Sequence, residues 1–522
     1  MTTFSNYQAA VIEAVKAGRA HTVVNAKAGA GKSFTILSAA AALSASNALN
    51  GGTLMLAFNK DIAAELAKKA KDRGIPVGGY GGVTIKTFHA LGFGAWRNYM
   101  GRTKVQIDDK KSWNILKYAN EINEAWDDEF IREYGSVAVK LVAYAKNSGV
   151  GCIIDGVAID NSPAVFEGIF HHHNMELSTV DSNLDDAIEL AMWLLDESAQ
   201  VTRFIDYNDM LWLPVYYRAS FFKNQRVFVD ELQDTNPLQL EIAVRSLKDS
   251  GQFIGVGDPN QAIYGFRGAD SNAFNSVIDR FEAQVLPLSI CYRCARSIIS
   301  EAQRIVPSIE AAPNAIEGKV ETIYEYKPEF FKADDIAILC RNNAPLISMA
   351  YALLKRGIPA QVLGRDIGTG LVALIDKMKA TDFETLNDRL DTFFTREIRK
   401  ANKKGLDNRV QQLEDQQACI EAFIDNLPET SRTIAGLKRA ISRLFSDEVE
   451  TGVVTLSSIH KSKGKEWANV CILERDLMPS PYARKDWMKE QEANLEYVAI
   501  TRAMVNLYYI ESNCWKVENK GK

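Results

Sequence analysis

The stretch Asn25–Ser33, which reads N-A-K-A-G-A-G-K-S, decides the fold of the chain around it. It follows an apolar, β-branched run, His21–Val24, and precedes an alanine- and leucine-rich run, Phe34–Ala45, that is typical of a helix. A strand, a glycine-rich turn and a helix start in this order form a phosphate cradle, because backbone N–H groups and the positive end of the helix dipole converge there. A chance glycine-rich turn is the alternative, but it does not require the strand and the helix on either side.

The residues of this loop have distinct expected roles. Its two glycines allow a tight turn that points N–H groups inward. Lys32 supplies a mobile positive charge for the β- and γ-phosphates of ATP, and Ser33 supplies a hydroxyl ligand for Mg²⁺. Ala26 stands where the pattern G-x-x-x-x-G-K-[ST] usually has its first glycine. The residues expected to bind ATP here are Ala28, Gly29, Ala30, Gly31, Lys32 and Ser33.

Length and composition exclude several classes of protein. A chain of 522 residues is too long for a single core. Its 47% hydrophobic and 24% charged residues are typical of globular domains, and its net charge of -5 excludes a uniformly basic coat but not a local basic groove. No basic-then-apolar leader and no apolar run of about 20 residues is evident, so a cytoplasmic protein, or a nuclear one in a eukaryote, is expected.

The cysteines are scattered, as is typical of a reducing compartment. Of the seven, Cys291 and Cys294 form one C-x-x-C without a second pair. A structural zinc site needs four ligands. We therefore expect these two residues to be unpaired thiols.

A second motif, Arg226–Asn236, reads R-V-F-V-D-E-L-Q-D-T-N. Its apolar strand delivers Asp230 and Glu231 to the carboxyl end of a parallel sheet, where ligands bind in α/β proteins. Asp230 is suited to hold Mg²⁺, and Glu231 to polarise the water that attacks the γ-phosphate. An ordinary acidic strand end is the alternative, but the phosphate loop upstream favours the catalytic interpretation.

A third motif, Gly255–Asp270, combines glycines, a proline and aromatic residues, so it predicts a loop that contacts ligands. Gln261 is placed to hydrogen-bond the γ-phosphate. Tyr264 and Phe266 are suited to stack on unpaired bases, with Arg267 beside them.

These motifs resemble motifs of the superfamily 1 DNA helicases of the UvrD/Rep/PcrA group, and the rest of the set follows in order. In the first half, the resemblance implies that Gln8 reads the adenine. It also implies that the A-F-N-K stretch, whose spelling is closer to the F-box DNA helicase branch, contacts DNA, as does T-F-H-A-L-G. The DNA contacts implied for these two stretches are Phe58, Asn59, Lys60 and His89.

In the second half, C-Y-R-C resembles motif IV, I-H-K-S-K-G-K-E-W motif V and E-Y-V-A-I-T-R-A motif VI. The resemblance implies that Tyr292 stacks on the adenine and that Arg293 and Arg502 reach the γ-phosphate, Arg502 as an arginine finger. It implies that Glu466 contacts the ribose and His460 single-stranded DNA. The residues expected to carry catalysis are thus Lys32, Glu231, Gln261, Arg293 and Arg502.

The resemblance implies an α/β fold with two RecA-like parallel-sheet cores, each interrupted by a mainly helical insertion. Core 1 is expected at 1–99 and 205–283, with its insertion at 100–204. Core 2 is expected at 284–366 and 451–522, with a small insertion at 367–450.

The function expected is an ATP- and Mg²⁺-dependent helicase that moves on single-stranded DNA and acts at single-strand/duplex junctions, with 3′-to-5′ polarity implied by the resemblance only. Two alternatives stay open. One is a translocase that mainly strips bound proteins from DNA. The other is a nucleotide-switched DNA-binding module with negligible turnover, against which the pairing of a base, Glu231, with a finger, Arg502, argues.

Overall fold

The structure, a computed structural model, describes residues 4–46, 48–79, 81–173, 175, 177, 182–263, 273–324, 331, 335–403, 407–446 and 452–511. The chain divides into two compact units, Met1–Ser289 and Ile290–Lys522. Among the residues that the structure describes, no helix is both long enough and apolar enough to cross a membrane.

The first unit alternates strands and helices around a helix-rich middle segment. Its strands are β1 Thr22–Ala26, β2 Thr53–Ala57, β3 Val83–Thr87, β4 Gln106–Ile107, β5 Ile153–Ile154, β6 Val157–Ala158, β7 Phe204–Ile205, β8 Asn224–Asp230, β9 Leu247–Gly257 and β10 Gln284–Leu288. Its helices are α1 Asn6–Ala17, α2 Lys32–Ala45, α3 Lys60–Asp72, α4 Phe88–Met100, α5 Lys111–Leu116, α6 Ala119–Ile122, α7 Asp128–Ser148, α8 Pro163–His172, α9 Leu184–Gln200, α10 Asp209–Tyr216, α11 Pro237–Arg245 and α12 Ala273–Phe281.

Six strands of this unit form one sheet in the order β10-β1-β9-β8-β2-β3, and every pairing in it is parallel. Successive strand residues point to opposite faces. Val23, Leu54 and Val227 therefore enter one core with the helices of the middle segment. Val24 and Phe228 enter a second core with α1, α2 and α3. Burial on both faces explains why these strands are almost continuously apolar.

The second unit repeats this plan with a second parallel sheet. Its strands are β11 Ile290–Cys291, β12 Glu310–Ala311, β13 Lys319–Ile323, β14 Ile336–Cys340, β15 Ala360–Leu363, β16 Phe445–Ser446, β17 Val454–Ser458, β18 Trp467–Leu473 and β19 Ala503–Ile510. Its helices are α13 Arg296–Ala302, α14 Ala344–Leu354, α15 Arg365–Lys377, α16 Phe383–Lys403, α17 Asp407–Asn426, α18 Ile434–Leu444 and α19 Asp486–Ile500. Seven strands pair in the order β13-β19-β18-β14-β17-β15-β16, all parallel.

The expected fold class, α/β with two parallel sheets, is confirmed. One boundary differs from the expectation. Core 2 was expected to begin at 284, but Gln284–Leu288 pairs with β1 from Thr22↔Gln284 to Ala26↔Leu288. This strand therefore completes the first sheet, and the first unit ends at Ser289.

A buried ionic network ties the helical middle segment to the residues that lead into β8. Lys111 on α5 contacts the Asp209 carboxylate at 2.6 Å, and Lys146 on α7 contacts Asp209 at 2.6 Å and Asp206 at 2.8 Å. The side chains of Lys111, Lys146 and Asp209 are essentially inaccessible to solvent. Burial lowers the pKa of Lys111, whereas the two aspartates outweigh burial and raise the pKa of Lys146.

We expect Asp209→Ala to lower the free energy of unfolding by about 3–5 kcal/mol, because it leaves two buried ammonium groups without their shared counter-ion. Urea unfolding followed by tryptophan fluorescence measures the loss. Asp376→Ala is the control, since it breaks an ion pair with Lys438 that is exposed to solvent, and it should cost at most about 1 kcal/mol. Equal losses in the two variants would contradict the role of the buried network.

Candidate active site

Three neighbouring strands of the first sheet end at the same edge, and each is followed by a loop that the sequence singled out. The order β1-β9-β8 places the phosphate loop after Ala26, the Asp258–Gln261 turn after Gly257, and Asp230–Glu231 at the end of β8. Because parallel strands share their carboxyl edge, the fold brings these three loops together.

The phosphate loop has the backbone that the sequence predicts. Gly29 and Gly31 both have positive φ, 65° and 79°, a conformation that favours glycine. Helix α2 starts at Lys32, directly after Gly31 as its N-cap. The loop is tied to its neighbours through Lys27, whose N–H donates to Leu288 O at 2.9 Å and whose Nζ donates to Asn260 Oδ1 at 2.8 Å.

An ion pair joins the phosphate loop to the carboxylates at the end of β8. Lys32 Nζ lies 2.8 Å and 2.7 Å from the two carboxylate oxygens of Glu231. Burial alone would lower the pKa of Lys32, but the charges of Glu231 and Asp230 outweigh it and raise that pKa. Burial and the neighbouring Glu231 raise the pKa of Asp230 to about 6. This corner of the sheet therefore concentrates negative charge around one lysine.

Glu231 is held in a restricted geometry. Its φ is 54°, in the left-handed region that non-glycine residues seldom occupy. Its N–H donates to Asp230 Oδ1 at 3.0 Å. Such strain is typical of residues whose direction matters for function.

Gln233 connects the loops after β8 and β9, a role that the sequence did not reveal. Its Nε2 donates to Glu231 Oε2 at 2.5 Å, and its Oε1 accepts the N–H of Asp258 at 3.0 Å. The contact needs a glycine at position 257, since a Cβ there would lie 2.1 Å from Gln233 Oε1. Gln233 belongs to the quoted D-E-L-Q-D stretch, but nothing in its spacing signals a bridge to the neighbouring strand.

Gln261 lies in the 3₁₀ turn after β9, where its Nε2 donates to Asp258 Oδ2 at 2.8 Å. Burial raises the pKa of Asp258, against the opposing charges of Lys27 and Lys32. Tyr264, Phe266 and Arg267, the expected base contacts, lie outside the described residues.

Near the other end of the phosphate loop, Gln8 is buried in α1 and its Nε2 is 3.5 Å from where a Cβ of Gly31 would be. Its Oε1 accepts the N–H of Ser5 in a capping box.

A residue that the sequence did not single out contacts the first turn of α2. Arg73 places its guanidinium 4.5 Å from the ring centre of Phe34 and donates to Phe34 O at 3.1 Å.

The expected DNA contacts of the first unit follow the next two strands of the same edge. Phe58, Asn59 and Lys60 follow β2, and His89 follows Phe88 after β3. Asn59 Oδ1 accepts the N–H of Ile62 and so caps α3, while Phe58 and Lys60 are exposed. Burial lowers the pKa of His89.

In the second unit, three of the predicted residues meet. Arg293 pairs with Glu466 at 2.9 Å and donates to Thr501 O at 2.8 Å. Arg502, which follows Thr501 in the chain, is buried and donates to Lys465 O at 3.0 Å. Tyr292, next to Arg293, is half-exposed. His460 follows the carboxyl end of β17, whereas Glu466 and Arg502 precede the amino ends of β18 and β19.

The donors at the sheet edge fit a magnesium ion better than a softer metal. Ser33 offers a hydroxyl and Asp230 a carboxylate, and Mg²⁺ prefers oxygen ligands and few protein donors. A carboxylate whose pKa is raised by burial and a like charge gains from a cation beside it. Within the described part of the chain, no cluster of three or more histidine, cysteine, aspartate or glutamate side chains could hold a metal alone.

We expect Asp230→Asn to stabilise the protein in chelator without nucleotide. The raised pKa means that the folded chain binds a proton between pH 4 and 6 that the unfolded chain has released. The preference of the folded chain for protonated Asp230 therefore adds to the free energy of unfolding at low pH. This added stability is lost as the pH rises through about 6. The variant should gain about 1–3 kcal/mol at pH 7.5 and less at pH 5. Thermal melts at both pH values measure it, with the exposed Asp249→Asn as control, and a gain that does not depend on pH would contradict it.

Comparisons with known proteins agree with this geometry. Residues 8–282 match the UvrD/REP helicase N-terminal domain, and residues 373–513 match the UvrD-like helicase C-terminal domain. The ATP-dependent DNA helicase UvrD2 of Mycobacterium tuberculosis is 26% identical over 95% of this chain and 77% of its own length. F-box DNA helicase 1 of Gallus gallus is 24% identical over 81% of this chain and 42% of its own. ATP-dependent DNA helicase PcrA of Staphylococcus epidermidis is 23% identical over 58% of each.

The first of these family models covers more than half of the chain, and it includes all three loops at the carboxyl edge of the first sheet. The chain therefore belongs to the UvrD-like family of ATP-hydrolysing DNA helicases.

Proposed function

We propose that this helicase uses ATP hydrolysis to move 3′ to 5′ along single-stranded DNA and to unwind the duplex at single-strand/duplex junctions. The observation that carries the hydrolytic part is the ion pair of Lys32 with Glu231 at the meeting point of three strand ends. The polarity is carried over from the family resemblance.

The ion pair suggests how ATP prepares the site. Lys32 neutralises Glu231 through the ion pair between them. The β- and γ-phosphates of ATP compete for the same ammonium, and the inward N–H groups of the phosphate loop favour them. When Lys32 moves to the phosphates, Glu231 is released to accept a proton from the attacking water. Binding of ATP and activation of the base are then one event.

Several neighbours complete this proposed site. Ser33 and Asp230 would hold Mg²⁺, which neutralises charge on the phosphates. Gln261 would hydrogen-bond the γ-phosphate, and Gln8 would read the adenine. In the second unit, the mutual packing of Arg293, Glu466 and the Thr501–Arg502 stretch supports a common role. We propose that the two arginines stabilise charge on the γ-phosphate, while Tyr292 and Glu466 contact the adenine and the ribose.

The DNA-binding part of the proposal rests on the carboxyl ends of β2 and β3. Phe58 offers an exposed ring for base stacking and Lys60 an exposed charge for phosphate. Burial lowers the pKa of His89 and so favours its neutral form, which is suited to a hydrogen bond rather than to charge neutralisation. His460, Tyr264, Phe266 and Arg267 are further proposed contacts.

The proposal predicts ATP hydrolysis that single-stranded DNA stimulates, and unwinding of a duplex with a 3′ single-stranded tail in preference to one with a 5′ tail. Steady-state phosphate release and strand displacement with a labelled duplex measure the two activities. Turnover independent of DNA would contradict the helicase, and preference for a 5′ tail would contradict the polarity. Displacement of a DNA-bound protein without duplex unwinding would instead favour the stripping translocase.

Two variants separate binding from chemistry in this experiment. Glu231→Gln keeps size and hydrogen bonding but removes the base, so turnover should fall by about 10²-fold or more while ATP still binds. Lys32→Ala should lose both ATP affinity and turnover, because it removes the main positive charge for the phosphates. Near-normal turnover of a folded Glu231→Gln protein would show that Glu231 is not the base.

We expect Gln233→Glu to impair hydrolysis by acting on Glu231. A carboxylate at position 233 can still accept the N–H of Asp258. It cannot donate to Glu231 as the amide of Gln233 does, and it places a second negative charge beside the Glu231 carboxylate. The pKa of the base should rise, so the acidic limb of the kcat–pH profile should move to higher pH and kcat at pH 7 should fall about tenfold or more. Gln225→Glu, at the other end of β8, is the matched control. A lower kcat with an unmoved profile would indicate a structural role only.

A further inference from the structure

Two cysteines flank the tip of the loop that carries Tyr292 and Arg293. Cys291 ends β11, where it is paired with Ala311 of β12, and Cys294 follows three positions later. The backbone N–H of Cys294 donates to Cys291 Sγ at 3.4 Å. Strand pairing fixes the backbone of Cys291, and this hydrogen bond holds the backbone of Cys294 close to the Cys291 sulfur.

We propose that Cys291 and Cys294 form a redox modification site, in which a small hydroperoxide oxidises the pair to an intramolecular disulfide and a dithiol reductant restores the thiols. The proposal depends on the short C-x-x-C span, across which the backbone N–H of Cys294 reaches Cys291 Sγ.

The environment assigns different roles to the two thiols. The hydrogen bond from Cys294 leads the factors that, against burial, lower the pKa of Cys291 to about 6, and Arg293 contributes. The neighbouring Cys291 and burial raise the pKa of Cys294 well above its usual value. Cys291 is thus the nucleophile and Cys294 the resolving thiol.

The other cysteines in the described ranges lack this activation. Burial raises the pKa of each of them: Cys152, Cys340, Cys419 and Cys471. A thiol that stays protonated at neutral pH reacts slowly with peroxide, because the thiolate is the reacting form. These buried cysteines therefore serve as internal controls with which the peroxide reactivity of Cys291 can be compared.

The chemistry balances with one peroxide per pair. The Cys291 thiolate attacks a peroxide oxygen, the O–O bond breaks, and the leaving oxygen takes a proton to become water or an alcohol. Cys291 becomes a sulfenic acid. The sulfur of Cys294 then attacks Cys291 Sγ, the S–S bond forms and a second water leaves. The two thiols lose two electrons, and the peroxide gains them.

Burial limits the class of oxidant. Both cysteine side chains are almost inaccessible, while Tyr292 between them is half-exposed. A small hydroperoxide such as hydrogen peroxide needs the least displacement of the surrounding side chains to reach the thiolate. A bulky disulfide such as glutathione disulfide would have to displace the loop.

The modification would change what holds Arg293. Cys294 Sγ lies 3.8 Å from Thr501 O, the oxygen that also accepts from Arg293 at 2.8 Å. Oxidation removes the thiol hydrogen of Cys294 and the negative charge of Cys291 beside the guanidinium. We expect a slower ATPase in the oxidised protein, a consequence that rests on the proposed function, whereas the disulfide itself does not.

Peptide mapping tests the site directly. The full chain is treated with hydrogen peroxide, its remaining thiols are alkylated under denaturing conditions, and it is digested with trypsin. Cleavage after Arg280, Arg293 and Arg296 yields Phe281–Arg293 and Cys294–Arg296 as separate peptides, unless a disulfide joins them. The joined peptide should form about tenfold or more faster than Cys340 or Cys471 loses its reactivity to alkylation. Equal rates, or oxidised Cys291 without the joined peptide, would overturn the proposal.

Two variants assign the roles. Cys294→Ser should accumulate a sulfenic acid on Cys291, trapped by dimedone, because the resolving thiol is absent. In Cys291→Ser, Cys294 should become as unreactive as Cys340, and oxidation of Cys294 at the wild-type rate would overturn the assignment.

ATPase measurements then separate this site from the proposed function. Peroxide should lower wild-type turnover several-fold, dithiothreitol should restore it, and Cys291→Ser should lose this sensitivity. An inactive reduced protein would contradict the proposed function while the peptide map still decides the disulfide. Joined peptides with unchanged turnover would overturn the link to Arg293.

Discussion

The ion pair between Lys32 and Glu231 depends on one constraint, the parallel order β1-β9-β8, which brings three loops to one edge. Lys32 opens a helix and Glu231 ends a strand, and 199 positions of sequence separate them. The hydrogen bonds of Gln233 and the absence of a side chain at Gly257 together set how closely the loops after β8 and β9 approach each other. Charge and strain are thus concentrated where phosphate chemistry needs them.

Much of this arrangement could be predicted because the strands are buried on both faces and read as apolar runs. The runs V-T-I-K-T at Val83–Thr87 and I-A-I-L-C at Ile336–Cys340 predict strands from sequence alone, and the structure has strands with these bounds. The sequence also predicts a strand near Val285–Leu288, but not its partner, because pairing between strands far apart in sequence leaves no local pattern. The assignment to the second core failed for that reason.

In the candidate active site, too, the features set by local sequence could be predicted and the contacts between distant segments could not. Glycine conformation and the type of residue at each loop position follow from local sequence, so the loop Ala28–Ser33 could be anticipated. The bridge made by Gln233 and the stacking of Arg73 on Phe34 join separate elements, and only the fold reveals them. The pKa of Asp230 likewise depends on burial and on Glu231 together, which no composition or spacing reports.

The buried network of Lys111, Lys146 and Asp209 has a consequence for how this architecture can change. The two lysines belong to the helical segment and the aspartate opens α10, which leads to β8. A shorter chain without residues 100–204 would keep the aspartate and lose both counter-ions, and the apolar residues that now share a core with α7 and α9 would be exposed to water. The segment is therefore not a detachable accessory. The exposed residues of the segment can be substituted freely. The segment as a whole can be lost or exchanged only together with the Asp209 carboxylate, which its lysines neutralise.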